Sequence, residues 1–181
     1  MRILLYGFGP YHHFQQNITE GIIHGLPKQR GLKKFVFPVR FHKGQFIKAV
    51  KDAKPDVILG LGQCSGGKRL RIETRAVNRR RKDKRTKSTP ITLGGKRNLL
   101  TNLKLDCGGE ARSSGDAGDY VCNYSMYVIL DYLRRRQLDV PFGFIHIPHR
   151  YDTRRAMRFL IRVIRDEMLL TQTPRLIKNK S

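Results

Sequence analysis

Short apolar runs alternate with amphipathic segments along most of this chain. The apolar runs predict β-strands over residues 2–8, 33–39, 55–62, 70–78 and 141–148, with a further short strand within 110–118. Apolar residues at helical spacing predict helices over 17–26, 43–54 and 153–169, and another that begins near Cys122 and ends near Arg136. Strands and helices therefore succeed one another from end to end.

This alternation decides the predicted fold class. It is typical of α/β proteins, in which helices cover both faces of a central sheet. We expect a single domain over residues 1–170, built as a three-layer α/β/α sandwich around a mixed, twisted sheet, followed by a mobile basic tail over 171–181. Functional sites in such folds form beyond the carboxyl ends of the strands. The loops that this rule singles out follow Phe8, Gly62, Asn78 and Ile147.

The charge changes this picture most. The 181 residues include 37 Lys and Arg against 14 Asp and Glu, a formal net charge of +23. Because 39% of the residues are hydrophobic, the chain is not a disordered polycation. The excess charge favours contact with nucleic acid or another polyanion, and an enzyme with a basic surface is the alternative interpretation. The candidate polyanion-binding residues form one exposed run: Arg79, Arg80, Arg81, Lys82, Lys84, Arg85 and Lys87.

The rest of the composition bears on cellular location and metal binding. Three widely separated cysteines, an odd number, argue against a disulfide framework and favour a reducing, cytoplasmic location. No apolar run approaches the roughly 18–20 residues of a membrane span, and the N-terminal "MRILLYGFGP" lacks the pattern of a signal peptide. The cysteines form no CxxC pair and the histidines are not at metal-ligand spacing, so we predict no metal site.

Three residues are candidates for thiol catalysis, which needs a cysteine, a histidine and a group that orients the histidine. Cys122 lies at a predicted helix start, where unpaired N–H groups and the helix dipole favour the thiolate. His146 lies near the end of an apolar strand, and Glu73 lies within another strand. Taken singly, each also has a structural explanation: a core thiol, a core histidine, and an acid paired with the flanking Arg71 and Arg75. Sequence spacing alone does not join the three.

Four motifs, taken in order, do join them. They are "GFGPY" after the first strand, "GQCSGG" leading into "IETRAVN", "AGDYVCNYSMY" at the helix start, and "GFIHIP" in the last strand. In their order and spacing, from the N-terminus to about residue 148, the chain resembles the pyroglutamyl peptidase I family of cysteine peptidases. The ten-residue step from Gln63 to Glu73 is the interval that this family has.

The resemblance implies a function and a set of roles. It implies an enzyme that hydrolyses the amide bond after an N-terminal pyroglutamyl residue through a thiol acyl-enzyme, without a metal or organic cofactor. Cys122 would be the nucleophile, His146 the general base and acid, and Glu73 the residue that orients the imidazole. The partners implied are N-terminally pyroglutamylated peptides and further copies of the chain, as a dimer or tetramer. The residues expected at the pyroglutamyl ring are Phe8, Tyr11, Gln63, Tyr120 and Val121.

The chain departs from the family pattern near the expected site. His12 and His13 stand where the family has two glycines, and the basic run 79–87 replaces a segment that carries an arginine and an isoleucine. Arg81 and Arg85 are the two candidates for the role of that arginine. Two alternatives stay open at this point. One is a diverged member that binds polyanions through its basic loop and has low or altered peptidase activity, and the other is a peptidase whose ring pocket takes a different N-terminal acyl group.

Overall fold

A computed structural model describes residues 1–11, 14–83, 85–106 and 108–170 of the chain. Within these ranges the strands are β1 (Ile3–Phe8), β2 (Leu32–Phe37), β3 (Val57–Cys64), β4 (Leu70–Glu73), β5 (Arg75–Val77), β6 (Asn98–Leu100), β7 (Ala111–Ser114) and β8 (Phe142–Pro148). The helices are α1 (Ile18–Gly25), α2 (Lys43–Ala53), α3 (Val121–Arg135) and α4 (Thr153–Leu170). Every predicted strand and helix has a counterpart here.

Six of the strands form one mixed sheet in the order β2-β1-β3-β8-β4-β7. The strands β2, β1, β3 and β8 are mutually parallel, and β4 runs antiparallel to β8 while pairing in parallel with β7. The strands β5 and β6 form a separate antiparallel ribbon. The carboxyl end of β8 therefore lies beside the amino end of β4, which matters for the site.

Helices cover both faces of this sheet. One face packs against α2 and α3, and the other packs against α1 and α4. Side chains alternate between the two layers along each strand: in β8, Phe142 and Phe144 join the α2–α3 layer, whereas Ile145 and Ile147 join the α1–α4 layer. The predicted three-layer α/β/α fold class is confirmed.

Two differences from the predicted boundaries bear on the site. The segment 70–78 is two strands, because the backbone at Thr74 changes partners: Thr74 N donates to Ser114 O at 2.8 Å, and its carbonyl accepts from Thr101 N at 3.0 Å. Residues 63 and 64, expected in a loop, continue β3 because they stay in register with β8. The predictions for His12, His13, Lys84 and the tail 171–181 lie outside the described residues.

Candidate active site

A buried carboxylate and a buried imidazole face each other across the β4–β8 pair. Phe142 and Phe144 mark the α3 side of the sheet, and strand alternation sends His146 to the same side. Glu73 reaches this side from β4, and its Oε1 lies 2.7 Å from His146 Nδ1. Because a carboxylate only accepts hydrogen bonds, Nδ1 carries the proton and Nε2 is left as the basic nitrogen.

Cys122 faces this pair from the first turn of α3. Tyr120 is the N-cap, so Cys122 is the second residue of the helix. A side-chain Cβ at position 62 of β3, where Gly62 has none, would lie 2.8 Å from Cys122 Sγ and 2.8 Å from His146 Cδ2. The sulfur and this ring carbon are therefore separated by at most twice 2.8 Å. Contacts of this length are too short for a side-chain carbon. Glycine at this position therefore gives the thiol and the imidazole room to meet.

Burial dominates the ionisation of this thiol. It raises the pKa of Cys122 to about 12, and the nearby Arg71 guanidinium offsets only part of the rise. Desolvation of the charged sulfur therefore opposes the helix N-terminus, which was expected to favour the thiolate. At neutral pH the sulfur is a thiol, and a base must take its proton before it can act as a strong nucleophile.

A cavity of about 360 Å³ is lined by Cys122, which is half-buried as a residue. The rings of Tyr11 and Tyr120 lie 6.4 Å apart between centroids, with 39° between their planes, and pack against each other at the cavity wall. Burial raises the pKa of both phenols, so they are neutral at pH 7. All five residues expected at the pyroglutamyl ring line this cavity: Phe8, Tyr11, Gln63, Tyr120 and Val121.

Gln63 links the cavity to the start of α1. Its Oε1 accepts a hydrogen bond from Ile18 N, the first residue of that helix, at 2.9 Å. A hydrogen bond with its side-chain amide also opposes the rise in the pKa of the Tyr11 phenol. These contacts hold the Gln63 amide in one orientation at the cavity wall.

Two polar residues of α3 that sequence reasoning did not single out support the nucleophile. Buried Asn123 accepts from Val77 N at 2.8 Å and donates to Val77 O at 2.9 Å and Arg79 O at 2.8 Å. Ser125 Oγ donates to Cys122 O at 2.8 Å. Polar residues directly after the cysteine in an otherwise apolar helical run, as in "CNYS", are the signal that would have indicated these roles.

The basic run after β5 packs against the loop that precedes α3. Arg79 pairs with Asp116 at 3.0 Å, and Arg81 pairs with Asp119 at 2.8 Å. Arg80 lies over two aromatic rings, 5.7 and 5.9 Å from their centroids. Three of the predicted polyanion-binding residues thus have partners within the protein, and Arg81 contacts a carboxylate that lines the cavity. The other described cations of that run are exposed: Lys82, Arg85 and Lys87.

Neither a metal site nor a membrane-spanning helix is found among the described residues. Among the described residues, no group of three or more His, Cys, Asp or Glu side chains is placed to hold a metal ion. Of the four described helices, none combines the length and the apolar character needed to cross a membrane.

The chain is similar over most of its length to peptidases of one kind. A family model described as pyroglutamyl peptidase matches residues 1–152. Pyrrolidone-carboxylate peptidase 1 of Saccharolobus solfataricus is 27% identical over 93% of this chain and 89% of its own. The pyrrolidone-carboxylate peptidase of Oceanobacillus iheyensis is 30% identical over 81% of this chain and 83% of its own.

Comparison of the fold also finds pyrrolidone carboxyl peptidases. The structure of a mutant pyrrolidone carboxyl peptidase from the hyperthermophile Pyrococcus furiosus matches with a TM-score of 0.79 and 26% identity, over 91% of this chain and 97% of that one. Neither the family description nor the names of these relatives point to nucleic-acid binding.

Proposed function

The chain belongs to the pyroglutamyl peptidase family, and from that premise we propose that Cys122, His146 and Glu73 carry out its reaction. That reaction is the cysteine-type hydrolysis of the amide bond after an N-terminal pyroglutamyl residue. The single observation that supports these roles best is the buried Glu73–His146 hydrogen bond beside the Cys122 thiol. It supplies a nucleophile, a base and a group that orients the base.

The first step is attack by a thiol that is not ionised at rest. As Cys122 Sγ bonds to the pyroglutamyl carbonyl carbon, its proton passes to Nε2 of His146. Since burial raises the pKa of Cys122 to about 12, proton transfer and attack proceed together. The carboxylate of Glu73 stabilises the imidazolium that forms.

The negative oxygen produced by this attack needs hydrogen-bond donors. The first N–H groups of a helix have no partner within it, and Cys122 belongs to the first turn of α3. We propose that the backbone N–H of Cys122 donates to the oxyanion, with the positive end of the helix dipole behind it.

The intermediate then collapses and the acyl group is released. The carbon–nitrogen bond breaks while His146 Nε2 returns its proton to the departing amine, and a thioester on Cys122 remains. Water, deprotonated by the same nitrogen, adds to the thioester carbon. The carbon–sulfur bond breaks, the thiol regains a proton, and free pyroglutamate leaves.

The cavity beside the thiol suits the pyroglutamyl ring. This lactam is small, flat and uncharged, and it suits an apolar pocket with a few amide contacts. Tyr11 and Tyr120 supply an aromatic wall, Phe8 and Val121 contribute apolar surface, and Gln63 offers an amide to the lactam.

Hydrolysis of a fluorogenic pyroglutamyl amide by the pure protein tests the proposal. We expect turnover by the wild type and none by the Cys122→Ala variant. Cys64→Ala is the matched control, because Cys64 is a second thiol on the same cavity and should be dispensable. No turnover by the wild type, or turnover that survives Cys122→Ala, would overturn the proposal.

Two less specific expectations accompany this function. We propose a homo-oligomer, either a dimer or a tetramer, which analytical ultracentrifugation would reveal. Leu93 in the loop before β6 and Leu100 at the end of β6 are both exposed, which supports an interface there. We also propose a cytoplasmic location, which suits an enzyme whose mechanism needs a reduced thiol.

A further inference from the structure

Arg71 is a charged residue of the cavity that the mechanism above does not use. We infer that Arg71 forms a subsite for a carboxylate on the leaving group, so that the enzyme prefers pyroglutamyl dipeptides with a free α-carboxylate over substrates whose leaving residue is capped or extended. This inference rests on the proposed function and specifies the substrate class of the same site.

The sheet places Arg71 directly beside the general base. Arg71 and His146 are paired across the β4–β8 ladder, which puts their Cβ atoms roughly 5 Å apart on one face. Because β4 runs antiparallel to β8, Arg71 lies nearer than Glu73 to the carboxyl edge of β8, where the cavity opens. Along the direction of β8, the Arg71 side chain therefore lies at the same height as the His146 imidazole.

The strand order shows which part of the substrate Arg71 meets. In the sheet, β1 and β2 lie on one side of the β3–β8 pair, and β4 lies on the other. Phe8 and Tyr11, proposed here to hold the ring, belong to β1 and the loop after it. With the acyl group on that side of the Cys122 sulfur, the leaving amine points past His146 towards β4 and Arg71.

The guanidinium of Arg71 has capacity for a further anion. Its Nε is buried, makes no hydrogen bond within the described structure, and lies 3.5 Å from Glu73 Oε1. That oxygen already accepts the shorter 2.7 Å bond from His146. The Arg71 side chain is 25% exposed, and it forms no other ion pair with the residues described. Its terminal N–H groups are therefore available to the cavity.

Other charged groups of the cavity are already engaged. Asp116 and Asp119 line it, but they pair with Arg79 and Arg81 in the basic run. Arg71 thus remains as the cation among the described lining residues of this cavity.

The chemistry of the leaving group fits this position. In a pyroglutamyl dipeptide the α-carboxylate is two bonds from the scissile nitrogen, so it is held close to the His146 proton donor. Arginine binds carboxylates through two parallel charge-assisted hydrogen bonds. In a longer or amidated substrate the same position carries a neutral amide, which loses this charge pairing.

The test compares pyroglutamyl-alanine with pyroglutamyl-alanine amide on the purified protein. One charge-assisted hydrogen bond predicts a kcat/KM for the free acid about tenfold or more above that for the amide. Arg71→Gln should bring this ratio close to one while still hydrolysing the amide, and Arg71→Lys should keep part of the preference. Arg112→Gln is the matched control, because Arg112 is the exposed β7 partner of Arg71 in the sheet and does not line the cavity.

The outcomes separate the inference from the function on which it rests. A wild-type ratio close to one, or a high ratio that Arg71→Gln leaves unchanged, overturns the carboxylate subsite while the peptidase stands. Equal losses on both substrates in the Arg71 variants also overturn it, because they indicate a purely structural role. No turnover of either substrate by the wild type overturns the proposed function and this inference together.

Discussion

Replacing Gly62 by alanine tests the geometry of the site without removing any reacting group. The new methyl would lie 2.8 Å from both Cys122 Sγ and His146 Cδ2, and 2.9 Å from Phe144 Cε1. Ordinary contacts begin near 3.4 Å, so the thiol and the imidazole must each give way by about 0.6 Å. Displacements of about 1 Å cost on the order of 10²-fold in rate, and overpacking costs about 1–3 kcal/mol of stability.

We therefore expect Gly62→Ala to lower kcat/KM on a pyroglutamyl amide roughly 10- to 100-fold. Gly60→Ala is the matched control, because Gly60 lies two residues earlier on the same face of β3. Its methyl would clash with Phe144 Cδ2 at 2.4 Å and Tyr6 Cζ at 2.6 Å, and contacts neither reacting group. In a urea titration Gly60→Ala should lose at least as much stability as Gly62→Ala, but it should lose less activity. If Gly62→Ala keeps kcat/KM within about threefold of wild type, or if both variants lose activity in proportion to stability, the reasoning is refuted.

Four further predictions concern the ionisation of the site and the residues that support it. Glu73→Gln should lower kcat roughly 10²–10⁴-fold, because an amide does not stabilise the His146 imidazolium; an unchanged kcat would contradict this. With the two other cysteines replaced by alanine, the rate at which iodoacetamide alkylates Cys122 should keep rising from pH 7 to 10, because burial raises the pKa of this thiol to about 12. A rate that reaches a plateau near neutral pH would show that the thiol is already ionised. The unfolded thiol ionises near pH 8.5, so the free energy of unfolding should fall as the pH rises above about 9, and less so in Cys122→Ala. Asn123→Ala should cost about 2–3 kcal/mol in a urea titration, because it leaves the half-buried backbone N–H and C=O of Val77 without their partner.

The order of the elements could be read from the sequence because each carries its own local pattern. The apolar runs that became β1 and β8 and the amphipathic α4 needed no tertiary information. The direction of β4 did need it. Nothing local in "LRIETRAVN" indicates that the strand runs antiparallel to β8 or that it changes sheets at Thr74.

For the catalytic residues too, some features could be read from the sequence and others needed the tertiary structure. Spacing alone left Cys122, His146 and Glu73 unconnected, and only the resemblance to a family joined them. The structure supplies the physical connection, since strand alternation puts Glu73 and His146 on the face that α3 covers. The desolvation that raises the pKa of Cys122 was not apparent from the sequence, because a helix start can be recognised there whereas the desolvation around it depends on the packed fold.

Direct detection of the acyl-enzyme tests the central claim most sharply. A pyroglutamyl amide is mixed with the protein, the reaction is quenched in acid within the first turnovers, and the digested protein is analysed by mass spectrometry. The account predicts one pyroglutamyl group as a thioester on the peptide that contains Cys122, and its absence in Cys122→Ala. Product formation without that adduct, or with the adduct on Cys64 instead, would contradict it.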